Sequence, residues 1–544
     1  MSKDSYAFKY PVAPSNFEVY IESMKSKKHW LKKRGYIHIT NQLDTTENRN
    51  RLISIIKNKD FISKYAFFPL IHDIKKERRL KRDPSNGIIK KSHTYKDGDV
   101  VKSNVKKRPL HYATHLDAAI YSYYSNLIKI EYEKYLNERP QLSESITAYR
   151  EIKKSNGINN KSTINFANEV FLEIQERSIT EECVVLKFDI KSFFNEIDHT
   201  LLKKQWAEIL GMKVLPQDHY NVFKGVTRFS YIMKDDLRIK LKSVRKKSGF
   251  DEKKLSQLRK KRICAFFESA NEFRNVIESG KIKIHKFPFR KNGIPCGFPQ
   301  GLPISSTLAN MYLLKFDESI IGKVVVNLKG FYRRYSDDII VLTTREHMNE
   351  VESFVIKEIT NYKLIISEEK TERFVYRHQF LNGSQRIESF KLYRDNAEKA
   401  GIPLTYLGFE FYGYKTLVKS ANLAKFYRRM ISSVKIKTRR TVQSLNKNPT
   451  TLRTIYKNQL FRLYARFPLS SSKLKKSNKI WGKNQFGYFY LKSKTEHSKF
   501  NSNYLSYIQR ASEEMSEPAI LNQIRNHKKI LFSALSKHKI KSLR

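Results

Sequence analysis

The chain reads as an α+β protein with a mostly antiparallel sheet. Short runs rich in β-branched and aromatic residues read as strands: "ECVVLKFDI" (182–190), "GFYRRYSDDIIVLTT" (330–344) and "LTYLGFEFYGY" (404–414), the last two folding back as hairpins. Apolar residues recur at helical spacing over 112–136 and again from about 418 onward. A composition 40% hydrophobic and 12% aromatic supplies enough apolar surface for packed cores, and 544 residues leave room for three or four domains.

Charge narrows the partners. The sequence holds 105 Lys+Arg against 53 Asp+Glu, a formal net charge of +52. Such a chain repels itself unless a polyanion neutralises it, and nucleic acid is the obvious polyanion. An anionic membrane surface is the rival. No run of 18 or more apolar residues is present to span a bilayer. The start, "MSKDSYAFKY", lacks the apolar core of a signal peptide. Three cysteines, Cys183, Cys264 and Cys296, with no C-x-x-C pair, argue against a structural zinc site and a disulfide framework and fit a reducing cytoplasm.

Taken in order, residues 1–65 mix charge and aromatics without a readable motif. From Lys75 to Arg108 there are 13 Lys/Arg and four Asp/Glu, with "DPSNG" and "KDGD" as turn signals, which predicts extended basic hairpins or loops. Residues 112–136 form a helix and 182–190 a buried strand. A second basic block, Lys242 to Arg262, carries ten Lys/Arg against two acids inside a long segment, 212–290, that has the look of an insertion. The stretch 293–320 starts as a Gly/Pro loop and becomes a helix, with Ser305, Ser306 or Thr307 as candidate caps. Beyond 418, Leu423, Phe426, Met430, Val434 and Leu445 make one apolar stripe, and Lys/Arg fill the other faces.

Three acidic positions stand out. Asp337 and Asp338 sit side by side between apolar runs, either as ordinary turn residues or as a metal site at a hairpin tip. Asp189 ends a strand, where a carboxylate is costly unless paired, metal-bound or used as a helix N-cap. Gly297 and Gly301 permit close backbone approach to a ligand.

An Asp-ending strand, a P-Q-G loop with its helix, a Tyr-x-Asp-Asp hairpin, "YKLIISEEKTE" (362–372) and "YLGFEF" (406–411) follow one another in that order. The series resembles the palm motifs of reverse transcriptases. Upstream, "KKRPLHYATHLDAAIYSYYSNLI" and "ITAYREIKKSNGINNKSTINFANEV" resemble the fingers motifs, and "WGKNQFGYFYLKS" resembles a bacterial thumb ending, so the likeness runs from 70 to past 490. Ser306, where intron and retron enzymes usually have proline, and the long insertion are more similar to the defence-associated, unknown-group and abortive-infection branch of bacterial enzymes. The chain has neither the Cys-rich endonuclease tail of many group II intron proteins nor a motif for an RNase H domain.

The resemblance implies a right-hand polymerase: N-terminal extension 1–65, fingers 66–180, palm 181–415 with the insertion at 212–290, and a helical basic thumb over 416–544. It implies two Mg²⁺ ions, with Mn²⁺ as an alternative, held mainly by Asp189 and Asp337. Asp338 is the second member of the pair, and the Ile190 carbonyl completes one site. Tyr335 would pack near the primer end. Phe194 would gate against a ribose 2′-hydroxyl, unless it is a core residue and Phe193 beside it the alternative. Arg108 would grip the incoming triphosphate, with Lys106 and Lys107 as nearby alternatives. Gln300 and Gly301 would meet the nascent base pair and template. Lys370 would donate a proton to pyrophosphate, and Leu407, Gly408 and Phe409 would form the primer grip.

The implied activity is Mg²⁺-dependent DNA synthesis from dNTPs on an RNA template, set in cytoplasmic bacterial antiviral defence. Alternatives are a retron-like or domesticated group II intron-type enzyme, untemplated or self-primed synthesis, and a non-catalytic nucleic-acid scaffold, against which the three acids count. Partners expected are an RNA template, a DNA product and dNTPs, with no membrane. A dedicated non-coding RNA, a second subunit and homo-oligomerisation stay open.

Overall fold

The computed structural model describes residues 30–45, 48–78, 81–82, 91–92, 94–97, 100–103, 105–157, 159–239, 249–381, 384–447, 458–465, 473–483, 485, 489–500 and 502–543. The chain forms two compact units. One comprises residues 1–150, 188–340 and 349–371, the other 151–187, 341–348 and 372–544. In the second unit the strands Cys183–Asp189, Glu372–Leu381, Ser384–Leu392 and Glu398–Ala400 pair antiparallel in that order.

In the first unit a smaller sheet pairs Leu70–Arg78 antiparallel with Val105–Tyr112 and parallel with Tyr231–Met233. The basic 75–108 stretch is therefore extended where described; residues 83–90 and several others in it lie outside the described residues. The helix expected over 112–136 runs His115–Asn137, and the Thr114 hydroxyl accepts from the Asp117 N–H as its N-cap.

The segment 212–290 is not an appendage. Its Ile232, Leu255, Phe266, Phe267, Phe273 and Ile282 pack into one buried cluster with Ile39 and Ile71, and the Phe266 N–H donates to the His38 carbonyl. Apolar side chains from the motif-free N-terminal residues and from the segment share one core, so burial ties the two together. Residues 240–248, which hold the lysine-rich start of the second basic block, lie outside the described residues.

In the second unit Glu372–Tyr376 pairs antiparallel with Cys183–Lys187, and Arg373–Leu381 with Ser384–Leu392. Val184, Val185 and Leu186 are fully buried, as the β-branched run requires. "LTYLGFEFYGY" is a hairpin, Leu404–Tyr406 against Phe409–Phe411, extended by Thr416–Val418. The long helix Ser420–Lys447 buries Phe426, Met430 and Val434 and exposes Lys425, Arg428, Arg429, Lys435, Arg439 and Arg440. The expected run of helices is interrupted: Lys473–Lys483 and Phe489–Phe500 form an antiparallel hairpin. Hairpin pairing there satisfies backbone groups between distant positions, which a helical-period reading of single segments does not register. The thumb-like "WGKNQFGYFYLKS" spans this hairpin, and its residues 484 and 486–488 lie outside the described residues.

Candidate active site

Asp189 and the Asp337 turn meet through the backbone. The Ile190 N–H donates to the Asp337 carbonyl at 3.3 Å, and the Ser367 N–H donates to the Asp189 carbonyl at 2.8 Å. The hairpin turn between Tyr335 and Asp338 has two residues, Ser336 and Asp337. Ser336 takes a left-handed conformation, φ 61°, which costs a non-glycine residue free energy and persists only where its surroundings enforce it.

The enforcing element lies two residues upstream. Arg334 is completely buried with Asp317 as a bidentate pair, Nε to Oδ1 at 2.7 Å and Nη2 to Oδ2 at 2.6 Å, and the Tyr332 hydroxyl donates to the same Oδ1 at 2.6 Å. Burial pushes the Asp317 carboxyl up, while the guanidinium and the Tyr332 hydroxyl pull it back. Arg334 is held in its charged form, Asp317 outweighing the burial. The remaining nitrogen, Nη1, donates to the Ser336 carbonyl at 3.2 Å. The Arg334 carbonyl in turn accepts from the Thr147 N–H and hydroxyl. Nothing in the sequence motifs singled out Arg334 or Asp317. Their stretches, "LLKFDESI" and "FYRRY", hold other charged residues beside them, so the pairing carried no local signal.

Tyr149 was also missed. It sits at φ 61°, is 48% exposed, donates from its hydroxyl to Ser336 Oγ at 3.3 Å, and places its ring 6.4 Å from that of Tyr335.

The two adjacent aspartates have different surroundings. Burial raises the Asp337 carboxyl above its usual range. The Asp189 charge adds to this, while the Lys106 cation lowers it. The Asp338 charge instead bears on Tyr335, whose hydroxyl is raised first by burial. Lys106 is thus a cation whose field reaches Asp337. Arg108 lies two residues along the same exposed strand and reaches Glu77 at 3.8 Å. The Lys370 ammonium donates to Asp189 Oδ2. Asp189 does not cap the following short helix, whose N-cap position is Ser192, so that alternative falls away.

The P-Q-G loop is stitched to the segment behind Asp189. The Gly297 N–H donates to the Ile197 carbonyl at 2.6 Å and the Phe298 N–H to the Phe194 carbonyl at 2.9 Å. Gly297 (φ 71°) leaves only 2.4 Å between an added Cβ and the Asn195 oxygen. On its other side the loop holds the Val105–Tyr112 strand: the His111 N–H donates to the Gln300 carbonyl at 2.9 Å, and a Cβ on Gly301 (φ 112°) would stand 2.6 Å from the His111 carbonyl oxygen. The expected serine or threonine cap is absent. The helix begins after Ile304 with no side-chain cap, and Ser305 Oγ donates back to the Pro299 carbonyl at 2.7 Å, closing the loop. Of the neighbouring pair, Phe193 is buried and Phe194 half-buried, its ring edge-on to Phe298 at 5.7 Å.

Leu407, Gly408 and Phe409 belong to the second unit. Leu407 (φ 42°) and Gly408 (φ 96°) form a two-residue hairpin turn with both central residues at positive φ. Phe409 is fully buried.

Among the described residues, no group of three or more His, Cys, Asp or Glu side chains is gathered closely enough to hold an ion alone. The donor set still fits a hard divalent cation. Two carboxylates at neighbouring strand ends repel one another, which adds to the rise that burial gives Asp337, and Mg²⁺ completes its shell with backbone oxygen, water and substrate phosphate.

Residues 232–411 match the family model described as reverse transcriptase (RNA-dependent DNA polymerase). The match holds the P-Q-G loop and the Asp337–Asp338 turn and begins beyond Asp189. No curated protein matches the chain. Among solved structures, the apo telomerase of Candida tropicalis lacking its C-terminal domain is similar at 11% identity and TM-score 0.35, over 59% of this chain and 54% of that one. The telomerase of Candida albicans with a fragment of telomeric RNA is similar at 8% identity and TM-score 0.34, over 91% of this chain and 65% of that one. The chain thus spans little more than half of the first of these. Residues 232–411 thus carry a reverse-transcriptase domain, within an α+β right-hand polymerase fold.

Proposed function

We propose that the chain copies RNA into DNA from dNTPs at a Mg²⁺-dependent site centred on Asp189 and Asp337. The observation that carries the reading is the backbone bond from Ile190 to Asp337, which couples the end of one acidic strand to the tip of an acidic turn. Asp189, Asp337 and the Ile190 carbonyl would hold the metal, with Asp338 beside them. Bound there, paired metal ions activate a primer hydroxyl and neutralise the triphosphate and its leaving group.

The protein's own part is positioning and charge. The buried Arg334–Asp317 pair fixes the turn. Lys106 and Arg108, on one exposed strand, supply cations for the triphosphate, and the P-Q-G loop, braced between Phe194 and His111, meets the nascent pair through Gln300 and Gly301. Lys370 gives a proton to the departing pyrophosphate, a role supported by its contact with Asp189. Phe194 walls off a 2′-hydroxyl. Tyr335 packs at the primer end, and the Leu407–Phe409 turn supports the primer through its backbone. Residues 66–180, 181–415 and 416–544 serve as fingers, palm and thumb.

The setting we propose is cytoplasmic bacterial antiviral defence, supported by the resemblance at Ser306 and by the 212–290 segment. The chain's net charge of +52 supports an RNA partner, a dedicated small RNA included. No helix among the described residues is long and apolar enough to cross a membrane.

The test isolates the nucleic acid that co-purifies with the protein, then adds Mg²⁺ and labelled dNTPs with and without RNase. Incorporation lost to RNase and abolished by Asp337→Asn, with RNA binding retained, is the expected result. Incorporation that survives RNase would overturn the RNA template, and equal incorporation by Asp337→Asn would overturn the site.

A further inference from the structure

The segment "KIKIHKFPFRK", residues 281–291, carries five Lys/Arg and no acid, with aromatics between the cations. The His285 N–H and carbonyl both bond the Tyr231 backbone, at 2.7 and 2.9 Å, so the segment adds an edge to the sheet of the first unit. A cavity of about 380 Å³ opens between this segment and residues 227–230. That is within the roughly 300–1,000 Å³ of small-ligand sites.

Arg228, Lys286 and Arg290 line the cavity and are exposed. Among the described residues no carboxylate pairs with any of the three, whereas the adjacent Lys291 is paired with Glu196 at 3.1 Å. Arg290 is steadied by the Gly293 carbonyl at 3.0 Å. The apolar wall is Phe229, buried, and Phe287, half-buried. Phe287 is held edge-on by Phe229 (ring centroids 5.1 Å apart) and by Phe289 (5.6 Å), so its ring is ordered before any ligand arrives. Pro295, at the cavity's edge, leads straight into the Cys296–Gly301 loop that braces the candidate active site.

We propose that this cavity binds one nucleotide of single-stranded nucleic acid, its base on Phe287 and its phosphate against Arg228, Lys286 and Arg290. Unpaired cations beside an ordered ring are the combination that holds unpaired strands, because every base offers a face for stacking and every phosphate a charge. A duplex keeps its bases stacked on one another and has none to offer. The proposal rests on the reading of the chain as a nucleic-acid enzyme and adds a site separate from the carboxylates.

The test measures binding of fluorescent oligo(U), oligo(dT) and a blunt duplex by anisotropy, without dNTPs, in the wild-type and Asp337→Asn proteins. Either background reports binding, so a failed polymerase reading would leave this measurement standing. Phe287→Ala should weaken single-strand binding roughly five-fold or more, Phe287→Trp should retain it, and duplex binding should stay level. The Arg228→Gln/Lys286→Gln variant should reduce the slope of log affinity against log salt by about 0.7 for each phosphate it no longer neutralises. Tighter binding of oligo(U) or of oligo(dT) identifies the strand. Wild-type affinity in folded Phe287→Ala with an unchanged salt slope in the paired variant overturns the proposal. Should Phe287→Ala fail to fold, the salt slope of the exposed pair decides alone.

Discussion

Replacing Asp317 by asparagine is the most informative single change outside the carboxylates. The side chain keeps its size but loses its charge, leaving the fully buried Arg334 cation without a counter-ion. Three bonds converge on the carboxylate, two from Arg334 and one from Tyr332. An amide oxygen keeps one acceptor in place of two, and its NH₂ faces a guanidinium that only donates. The Nη2 bond is lost and the Nε bond loses its charged acceptor; with bonds to charged groups contributing about 1.5–3 kcal/mol each, the two together set an upper limit of roughly 3–6 kcal/mol. Breaking a buried pair typically costs about 3–5 kcal/mol. We expect about 4 kcal/mol, read as a fall of several degrees in thermal midpoint and a matching drop in urea midpoint. DNA synthesis should fall at temperatures well below unfolding, because Arg334 Nη1 also holds the Ser336 carbonyl next to Asp337. The double variant Arg334→Met/Asp317→Leu should recover most of the stability and not the activity, since it removes both buried charges but restores no bond to the turn. A midpoint for Asp317→Asn within the error of wild type would refute the reasoning.

Gly301→Ala sets a side chain at φ 112° and 2.6 Å from the His111 oxygen; we expect it to cost about 1–3 kcal/mol or more and to cut nucleotide incorporation, checked by urea titration and primer extension. Phe194→Ala should raise ribonucleotide use on the order of tenfold, measured as the ratio of kcat/KM for rNTP and dNTP; unchanged discrimination would return Phe194 to a packing role. His38 is buried and pushed down to about 3 by that burial, the Tyr112 carbonyl opposing; His111 is likewise pushed down to about 3, by burial and by His72. Both stay neutral when folded and protonate near 6.5 when unfolded. Their stabilisation is therefore complete above about pH 6.5 and is lost towards pH 3, by up to about 1.4 kcal/mol per pH unit for each group. His38→Gln should remove its share of that slope between pH 7.5 and 5.5 in urea titrations.

The sequence by itself determined the local elements and the order of the chemistry-bearing motifs. "ECVVLKFDI" is a strand because a β-branched run prefers a pleated, buried setting, and the two-residue turn at Ser336–Asp337 and the Leu407–Gly408 turn follow from short polar or glycine-bearing breaks between apolar runs. Asp189, Asp337 and Asp338 were picked out by the order of the motifs and its resemblance to a reverse-transcriptase palm. What only the tertiary structure decided were contacts between residues far apart in the chain, where local pattern carries no signal. Asp337 shares its field with Asp189; Lys106 reaches Asp337 while Arg108 turns to Glu77; Ser305 closes the P-Q-G loop and caps nothing. The buried Arg334–Asp317 pair and the joint core of Ile39 with the 212–290 segment belong to the same class. Burial and ion pairing depend on which surfaces meet, and that is set when the whole chain excludes water together, not by the spacing of residues along it.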